Sequence, residues 1–363
     1  MNYKALLFLC ITVGIFSCKP KEKTAAVNYD NFLNEYIDST VSPGEDFFKF
    51  AMGKWLKNNP IPESERSWGI WTLVNEENYS RIRKINEEAA ANTKAKKGSN
   101  EQKIGDFWFT GMDTVTIEKQ GITPLKPELD KIAAISDPQG VIKMASYLHT
   151  MQVQPLFGNY IFQDEKNSNK FRLHFYQGGI GLPDRDYYFD KDERTVTIRN
   201  EYVKHISKMF QLTGIDAATA DTYAQTIMKM ETDFAGASRK LADLRDPYAN
   251  YNSMAVADVN KLCPAINWES FLADAGIKNI DTIIVGQPEF FKQLNTSLTK
   301  ESVDNWKIYL QWNLINAYAD RLSSDFDKEH FHFYGTILNG TKEQRARWKR
   351  VLDAEEDAMG FLL

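Results

Sequence analysis

From residue 46 to the end of the chain, apolar side chains recur at the three-to-four spacing of amphipathic helices, and two neighbouring segments break that period. The helical pattern runs through 46–57, 70–90, 101–110, 139–150, 193–212, 217–243, 302–320 and 341–362. The first of these has an entry signal in Ser42-Pro43 and a stop in Asn58-Asn59-Pro60. The breaks, Leu156 to Gln163 and Phe171 to Gln177, are rich in aromatic and branched residues, and the intervening DEKNSNK (164–170) is turn chemistry. They predict a β-hairpin, and TIIV (282–285) predicts one more short strand. No tandem repeat of fixed period is present, which counts against a solenoid. The expected fold class is mainly α: a large helical lobe with a small β-hairpin insertion at about 156–177. At 363 residues and 43% apolar composition, core burial does not limit one large or two ordinary domains.

Directly after the hairpin, residues 178–188 read GGIGLPDRDYY. Glycines admit positive φ, and Pro183 fixes its own φ while disfavouring helix at Leu182, so this is an ordered turn rather than a linker. It is not a phosphate loop, because Pro183 stands where a helix would have to open onto the phosphate. Nor are Asp184 and Asp186 a good acid/base pair. A carboxylate beside Arg185 stays ionised, which suits a structural ion pair.

The first residues differ from the rest. Lys4 precedes an apolar run from Ala5 to Phe16, too short for the roughly 20 residues that span a bilayer but suited to a signal-peptide core. Ile15-Phe16-Ser17-Cys18 resembles a bacterial lipobox, with plain secretory cleavage as the alternative. The reading is a lipoprotein signal peptide at 1–17, a lipid on Cys18, a flexible tether over 18–28 and a folded lobe from 29 to 363. The protein is thereby expected to be exported and held on a bilayer from the periplasmic or cell-surface side. Cleavage removes Cys10, and with Cys18 acylated Cys263 has no disulfide partner. A net charge of −5, from 49 acids and 44 bases, leaves no broad basic field, so nucleic acid is not an expected partner.

No stretch reads HExxH, and no histidine has another at i+4, where two imidazoles on one helix face share a metal. His330 and His332 alone lie close together; an extended backbone would put them on one face, but FDKEHFHFYG reads better as aromatic packing. No GxSxG elbow is present, and Cys263 before Pro264 reads as a small buried hydrophobe. KEQRARWKR (342–350) is expected on a helix opened by Thr341, its charges solvated or paired within the protein. No catalytic residue and no metal ligand is therefore expected in this chain.

Four collinear blocks resemble the N-terminal half of the neprilysin and endothelin-converting-enzyme family of zinc metallopeptidases, in its bacterial oligopeptidase branch. They are DFFKFAMGKWLKNNPIP (46–62), QGGIGLPDRDYY (177–188), VGQPEFF (285–291) and FYGTILNGTKEQRARWKRV (333–351). The resemblance implies a two-lobed, largely helical enzyme whose N-terminal lobe caps a catalytic lobe around a cavity that admits peptides and excludes folded proteins. It implies zinc held by the HExxH histidines and a downstream glutamate, all in the half that is not in this sequence. Where many members carry an arginine before an aromatic-glycine pair to hold a substrate's terminal carboxylate, this chain has Ser67 before Trp68-Gly69. Arg66 lies one place earlier and is the candidate substrate-binding residue, while the family's acidic position is Thr72. Trp68 and Trp71 are candidates for lining the cavity or for helix packing.

Two functions follow from this reading. In the first, the chain is the substrate-enclosing lobe of a membrane-anchored zinc metalloendopeptidase cleaving oligopeptides, truncated and inactive until a catalytic lobe joins it in cis or in trans. In the second, it is a stand-alone, non-catalytic lipoprotein that binds peptides or a partner. The final residues fit a missing partner: Trp348, Val351, Leu352, Met359 and Leu362 keep an apolar stripe up to Phe361-Leu362-Leu363 with no capping glycine beyond. Each large side chain gains roughly 1.5–3 kcal/mol on burial, so the isolated chain is expected to self-associate through this end.

Overall fold

The computed structural model describes residues 33–362, so the expected signal peptide, Cys18 and the tether lie outside the described residues. Two compact units are present, one ending at Pro62 and the other beginning at Glu63. In the first, helix α1 (Phe47–Asn58) starts where the Asp46 side chain accepts from the Lys49 amide and stops where Asn59 turns its own amide back to the Trp55 carbonyl. Asp38 lies against this helix and accepts from Lys57 Nζ at 2.6 Å and from the Thr40 amide at 3.1 Å. The hydrogen bond from Lys57, with those from Thr40, lowers the Asp38 carboxyl to about 2. Gly53 leaves the space: a Cβ there would stand 2.8 Å from Asp38 Cβ.

The second unit is mainly helical. In chain order its elements are α2 (Ile70–Ala91), α3 (Asn100–Met112), α4 (Thr114–Gln120), α5 (Lys126–Ala133), α6 (Pro138–Thr150), β1 (Gly158–Asp164), β2 (Asn167–Tyr176), α7 (Asp186–Phe189), α8 (Glu193–Leu212) and α9 (Ala217–Ala237). There follow β3 (Ser253–Ala255), α10 (Val256–Leu262), α11 (Trp268–Asp274), β4 (Thr282–Val285), α12 (Pro288–Lys300), α13 (Val303–Tyr318), α14 (Ser324–His330), a π-helix (Phe331–Leu338) and α15 (Arg347–Met359). Asp137, Asp192, Asp216 and Ser302 cap α6, α8, α9 and α13 by accepting an amide three residues on. On α8, Ile198, Tyr202, Ile206, Met209 and Phe210 repeat at helical spacing and are buried in the main core with α9, α12 and α13.

The predicted hairpin exists, but it is half of a sheet rather than an insertion. Strand order is β1-β2-β4-β3; β2 pairs antiparallel with β1 and parallel with β4, setting Leu173 beside Ile283 and Phe175 beside Val285. The turn is also tighter than DEKNSNK predicts, since β2 already starts at Asn167. Asp164 closes it by accepting the Lys166 amide at 2.9 Å, and Arg172 Nε and the Tyr251 hydroxyl fix the same carboxylate from outside the turn.

Two helix boundaries differ from the sequence pattern. The predicted 217–243 helix stops at Ala237, because Gln177 captures both backbone groups of Arg239: its Oε1 accepts the amide at 2.7 Å and its Nε2 donates to the carbonyl at 3.0 Å. The predicted 341–362 helix begins at Arg347 rather than Thr341, since the Thr341 amide donates to Gly335 O and the Lys342 and Glu343 amides to Glu63 O. The apolar stripe of α15 finds cover within the chain. Val351 and Leu352 pack with Trp108, Tyr79 and Ile82 of α2 and α3, and among the described residues of the stripe Phe361 stays out, at 88% exposure. The partner surface expected for that stripe is thus largely supplied by this chain itself.

GGIGLPDRDYY is fixed from below by one carboxylate. Glu231 on α9 is 1% exposed; it accepts from the Gly181 amide at 3.1 Å, the Tyr188 hydroxyl at 2.6 Å, the Tyr202 hydroxyl at 3.0 Å and Trp312 Nε1 at 3.3 Å. Tyr188 in turn accepts the Leu182 amide at 3.1 Å. Gly181 is obligatory at this approach, because a Cβ would fall 1.8 Å from the Tyr202 hydroxyl. Asp184 and Arg185 are structural, as their sequence indicates: Asp184 accepts the Asp186 amide at 2.8 Å, and Arg185 reaches the Ala235 carbonyl and the Phe189 ring.

Burial raises Glu231 from 4.5 to about 7, against the opposing effect of its hydrogen bonds. The folded chain therefore holds this proton more tightly than the unfolded one, and the stability it contributes is complete below about pH 4.5 and lost as pH rises to about 7. The loss amounts to about 3 kcal/mol. Urea unfolding across this window should show wild type losing stability relative to Glu231→Gln as pH rises; equal slopes for the two would mean that the carboxyl titrates normally.

Candidate functional site

Around the π-helix lies a recess of about 750 Å³, walled by residues 64–67, by the π-helix itself and by Arg350, Asp353, Ala354 and Asp357 along α15. The π-helix has a wider spiral than an α-helix, a form that recurs at functional sites. Gly335 permits it to close here: a Cβ there would sit 2.3 Å from the Phe331 ring. His330 and Tyr334 face the recess with ring centroids 4.7 Å apart. Burial holds the His330 imidazole below its ordinary value, so it is neutral near pH 7 and offers hydrogen bonds rather than charge.

Most arginines around the recess are already engaged. Arg350 Nη1 donates to both oxygens of Asp327, at 2.9 and 3.0 Å, and Arg345 pairs with Asp353 and donates to the Tyr79 hydroxyl. Arg347 Nε donates to the Gly111 carbonyl at 2.8 Å, and Lys342 pairs with Glu63 at 3.0 Å. The basic run 342–350 thus makes the intramolecular pairs its sequence indicates, although partly ahead of the helix.

Arg66 differs from its neighbours. It lines the recess, is exposed, and has neither a hydrogen bond nor an ion pair among the described residues. A guanidinium in that condition keeps its whole fork for a bidentate acceptor such as a carboxylate. Ser67 shares the lining, whereas Thr72 is occupied locally, accepting the Gly69 amide at 3.3 Å where α2 begins. Trp68 is half-buried and Trp71 is 82% exposed, so helix packing does not account for Trp71.

Metal-ligand geometry is a separate matter. Among the described residues no group of three or more His, Cys, Asp or Glu side chains could hold a metal ion. His330 and His332 do not share a face, because the backbone is helical and not extended: His330 lines the recess, and His332 lines smaller cavities with Glu329 and Lys208. These residues do not fit the zinc that the resemblance implies. Cys263 is buried, and burial raises its thiol to about 12, which leaves it without nucleophilic character. No described helix is long and apolar enough to cross a membrane.

A second cavity, of about 600 Å³, lies under the Gln177–Asp184 segment between Tyr160 and Tyr176 of the sheet and Leu241 and Leu244 of the following loop. In its lining Gln287 accepts the Gln177 amide at 2.9 Å and donates to Asn250 at 2.6 Å, while His174 Nε2 is buried without a hydrogen-bond partner. Tyr334 had no signal of its own beyond membership of the FYGTILNGTKEQRARWKRV block, whereas Arg345 and Arg350 belong to the basic run whose pairing the sequence indicates.

Comparison with known proteins gives the same picture over nearly the whole chain. The profile of "Peptidase family M13" matches residues 43–363. Endothelin-converting enzyme 1 of Rattus norvegicus is 28% identical over 351 residues, which cover 93% of this chain and 45% of that enzyme. Neprilysin-3 of Drosophila melanogaster is 27% identical, over 90% of this chain and 44% of its own length. Among solved structures, the Mycobacterium tuberculosis zinc metalloprotease Zmp1 bound to an inhibitor superposes with a TM-score of 0.86 at 29% identity, covering 91% of this chain and 50% of that one. The chain thus spans about half the length of the relatives it matches. With the matched segment running from Pro43 through the recess to the last residue, this chain belongs to peptidase family M13, of which it carries the N-terminal domain.

Proposed function

We propose that this chain is the substrate-enclosing domain of a membrane-anchored zinc metalloendopeptidase that cleaves oligopeptides. What supports this most is the alignment of the chain with one half of a zinc metalloprotease at a TM-score of 0.86. The recess with its uncommitted Arg66 adds a place for a peptide end. Zinc and the HExxH that binds it belong to a catalytic lobe, joined in cis or met in trans, and supply the activated water there. This domain's part is enclosure and orientation, which contribute to rate by holding the peptide where the chemistry occurs. Within this reading Arg66 takes the terminal carboxylate of the bound peptide, in place of the arginine that Ser67 replaces. Cys18 carries the lipid that holds the exported enzyme on its membrane.

Purified alone, the chain should leave a quenched oligopeptide uncut, and supplying the zinc-bearing half of a family member, fused or separate, should produce chelator-sensitive cleavage. Cleavage by this chain alone would overturn the assignment. In the assembled enzyme, Arg66→Ala should raise KM about 10-fold or more for peptides with a free C-terminal carboxylate, the scale of one charge-assisted hydrogen bond, and leave amidated peptides unchanged. An equal effect on both would remove Arg66 from carboxylate binding. For the anchor, cells fed labelled palmitate should incorporate it into wild type but not into Cys18→Ala; label retained by the variant would place the lipid elsewhere.

A further inference from the structure

His205, on α8, is 2% exposed, and its Nδ1 lies 2.9 Å from Glu329 Oε1 on α14. That nitrogen therefore carries a hydrogen and donates it to the carboxylate. On the other side of the ring, Nε2 is buried without a partner, and so is Oδ1 of Asn316 on α13, whose side chain faces it. Asn316 uses its nitrogen elsewhere: Nδ2 donates to the Tyr334 hydroxyl at 2.9 Å, and that hydroxyl donates in turn to the Gly181 carbonyl at 3.3 Å.

The direction of each bond in this series fixes the next. A neutral imidazole with its hydrogen on Nδ1 presents a lone pair at Nε2 to the lone pairs of Asn316 Oδ1, and two buried acceptors facing each other are costly. A proton on Nε2 removes the conflict by donating to Oδ1, and everything downstream stays as described. Turning the Asn316 amide over also removes it: Nδ2 then donates to Nε2, and Oδ1 takes the Tyr334 hydroxyl hydrogen away from Gly181 O. The two resolutions differ in the bond at the far end.

We propose that Glu329, His205, Asn316 and Tyr334 form a proton-coupled hydrogen-bond relay in which the imidazolium form of His205 keeps Tyr334 on the Gly181 carbonyl and the neutral form releases it. The relay ends at the turn that Glu231 holds by the Gly181 amide, and Tyr334 also lines the Arg66 recess, so a proton at His205 reaches both. The groups around the ring are Glu329 from α14; His330, His332, Phe333 and Tyr334 from the α14–π-helix run; Asn316 and Trp312 from α13; and Glu201, Lys204 and Lys208 along α8 itself. Burial lowers the imidazole's proton affinity most, His332 lowers it further, and Glu329 and Asn316 raise it, with a net direction below the ordinary histidine value. The relay therefore changes state on acidification below the ordinary histidine value.

The chain contains one Gly-Leu dipeptide, Gly181-Leu182. Protein labelled with carbonyl-13C glycine and 15N leucine gives a single HNCO peak that reports this carbonyl, while ring-labelled histidine reports His205. Between about pH 8 and about pH 4, the Gly181 carbonyl shift should move with the midpoint of the His205 ring. A separate step from Glu231, near 7, should accompany it. Tyr334→Phe, which keeps the ring and loses only the hydroxyl, should abolish the His205-linked step and retain the Glu231 step. His205→Gln should abolish the same step. A carbonyl that stays still while His205 titrates, a step that survives in Tyr334→Phe, or a His205 ring that does not titrate in this range would each overturn the relay.

Discussion

A carboxylate with no cationic partner stands at the centre of this domain, and the path of the chain around it is set by the need to satisfy it. Removing an ion from water costs several kcal/mol even after relaxation. Hydrogen bonds to a charged group recover about 1.5–3 kcal/mol each, so one or two donors are not enough. Glu231 has four, brought from the Gly181 turn, α7, α8 and α13, and it makes no ion pair among the described residues. Burial still prevails, as the rise in its proton affinity shows. A site that remains under-compensated with four donors has no tolerance for losing one, so these elements are held to a common geometry.

That requirement explains why GGIGLPDRDYY has the composition it has. Glycine at 181 lets the backbone amide descend to the carboxylate past the Tyr202 hydroxyl, and Gly179, at φ +70°, lies where a Cβ would stand 2.7 Å from the Pro155 carbonyl oxygen. Pro183 and Asp184 then start α7 so that Tyr188 returns to the same carboxylate six residues after the amide it also binds. An apparent pair of surface acids becomes a helix start, and the second tyrosine of the paired Tyr187-Tyr188 becomes an interior donor.

Legibility in the sequence follows the range of the forces involved. α1, α6, α8 and α13 were visible because apolar spacing and caps are local, and Asp46 and Ser302 both act within three residues of themselves. α9 was overrun because its end is set by Gln177, sixty-two positions away in sequence. β2 and β4 were legible as strands but not as neighbours, since a parallel pair carries no turn to announce it. Short helices such as α10 and α11 hold too few turns to display a period. At the site, Arg66 could be singled out as the arginine beside a substituted position. Whether it was free could not be read, because that depends on Asp327 and Asp353 taking the other arginines. Glu231 gave no signal whatever, for a glutamate on an amphipathic helix is ordinarily solvated.

The interior constraint and the candidate site share one residue, and this joins the two halves of the structure. Tyr334 stands in the recess wall with His330, yet its hydroxyl donates to the carbonyl of the same glycine whose amide Glu231 holds. Gly181 is therefore gripped from both sides of its backbone, once by a buried carboxylate and once by a side chain that faces the recess. A wall built this way cannot yield independently of the core: displacing Tyr334 removes a donor from Gly181 O and disturbs the partner of Asn316 as well. Arg66 lines the same recess from a segment tied at Glu63, where the Lys342 and Glu343 amides bind its carbonyl. The recess thus has one wall locked to the interior through Tyr334, while Arg66 in its lining keeps a guanidinium with neither a hydrogen bond nor an ion pair among the described residues.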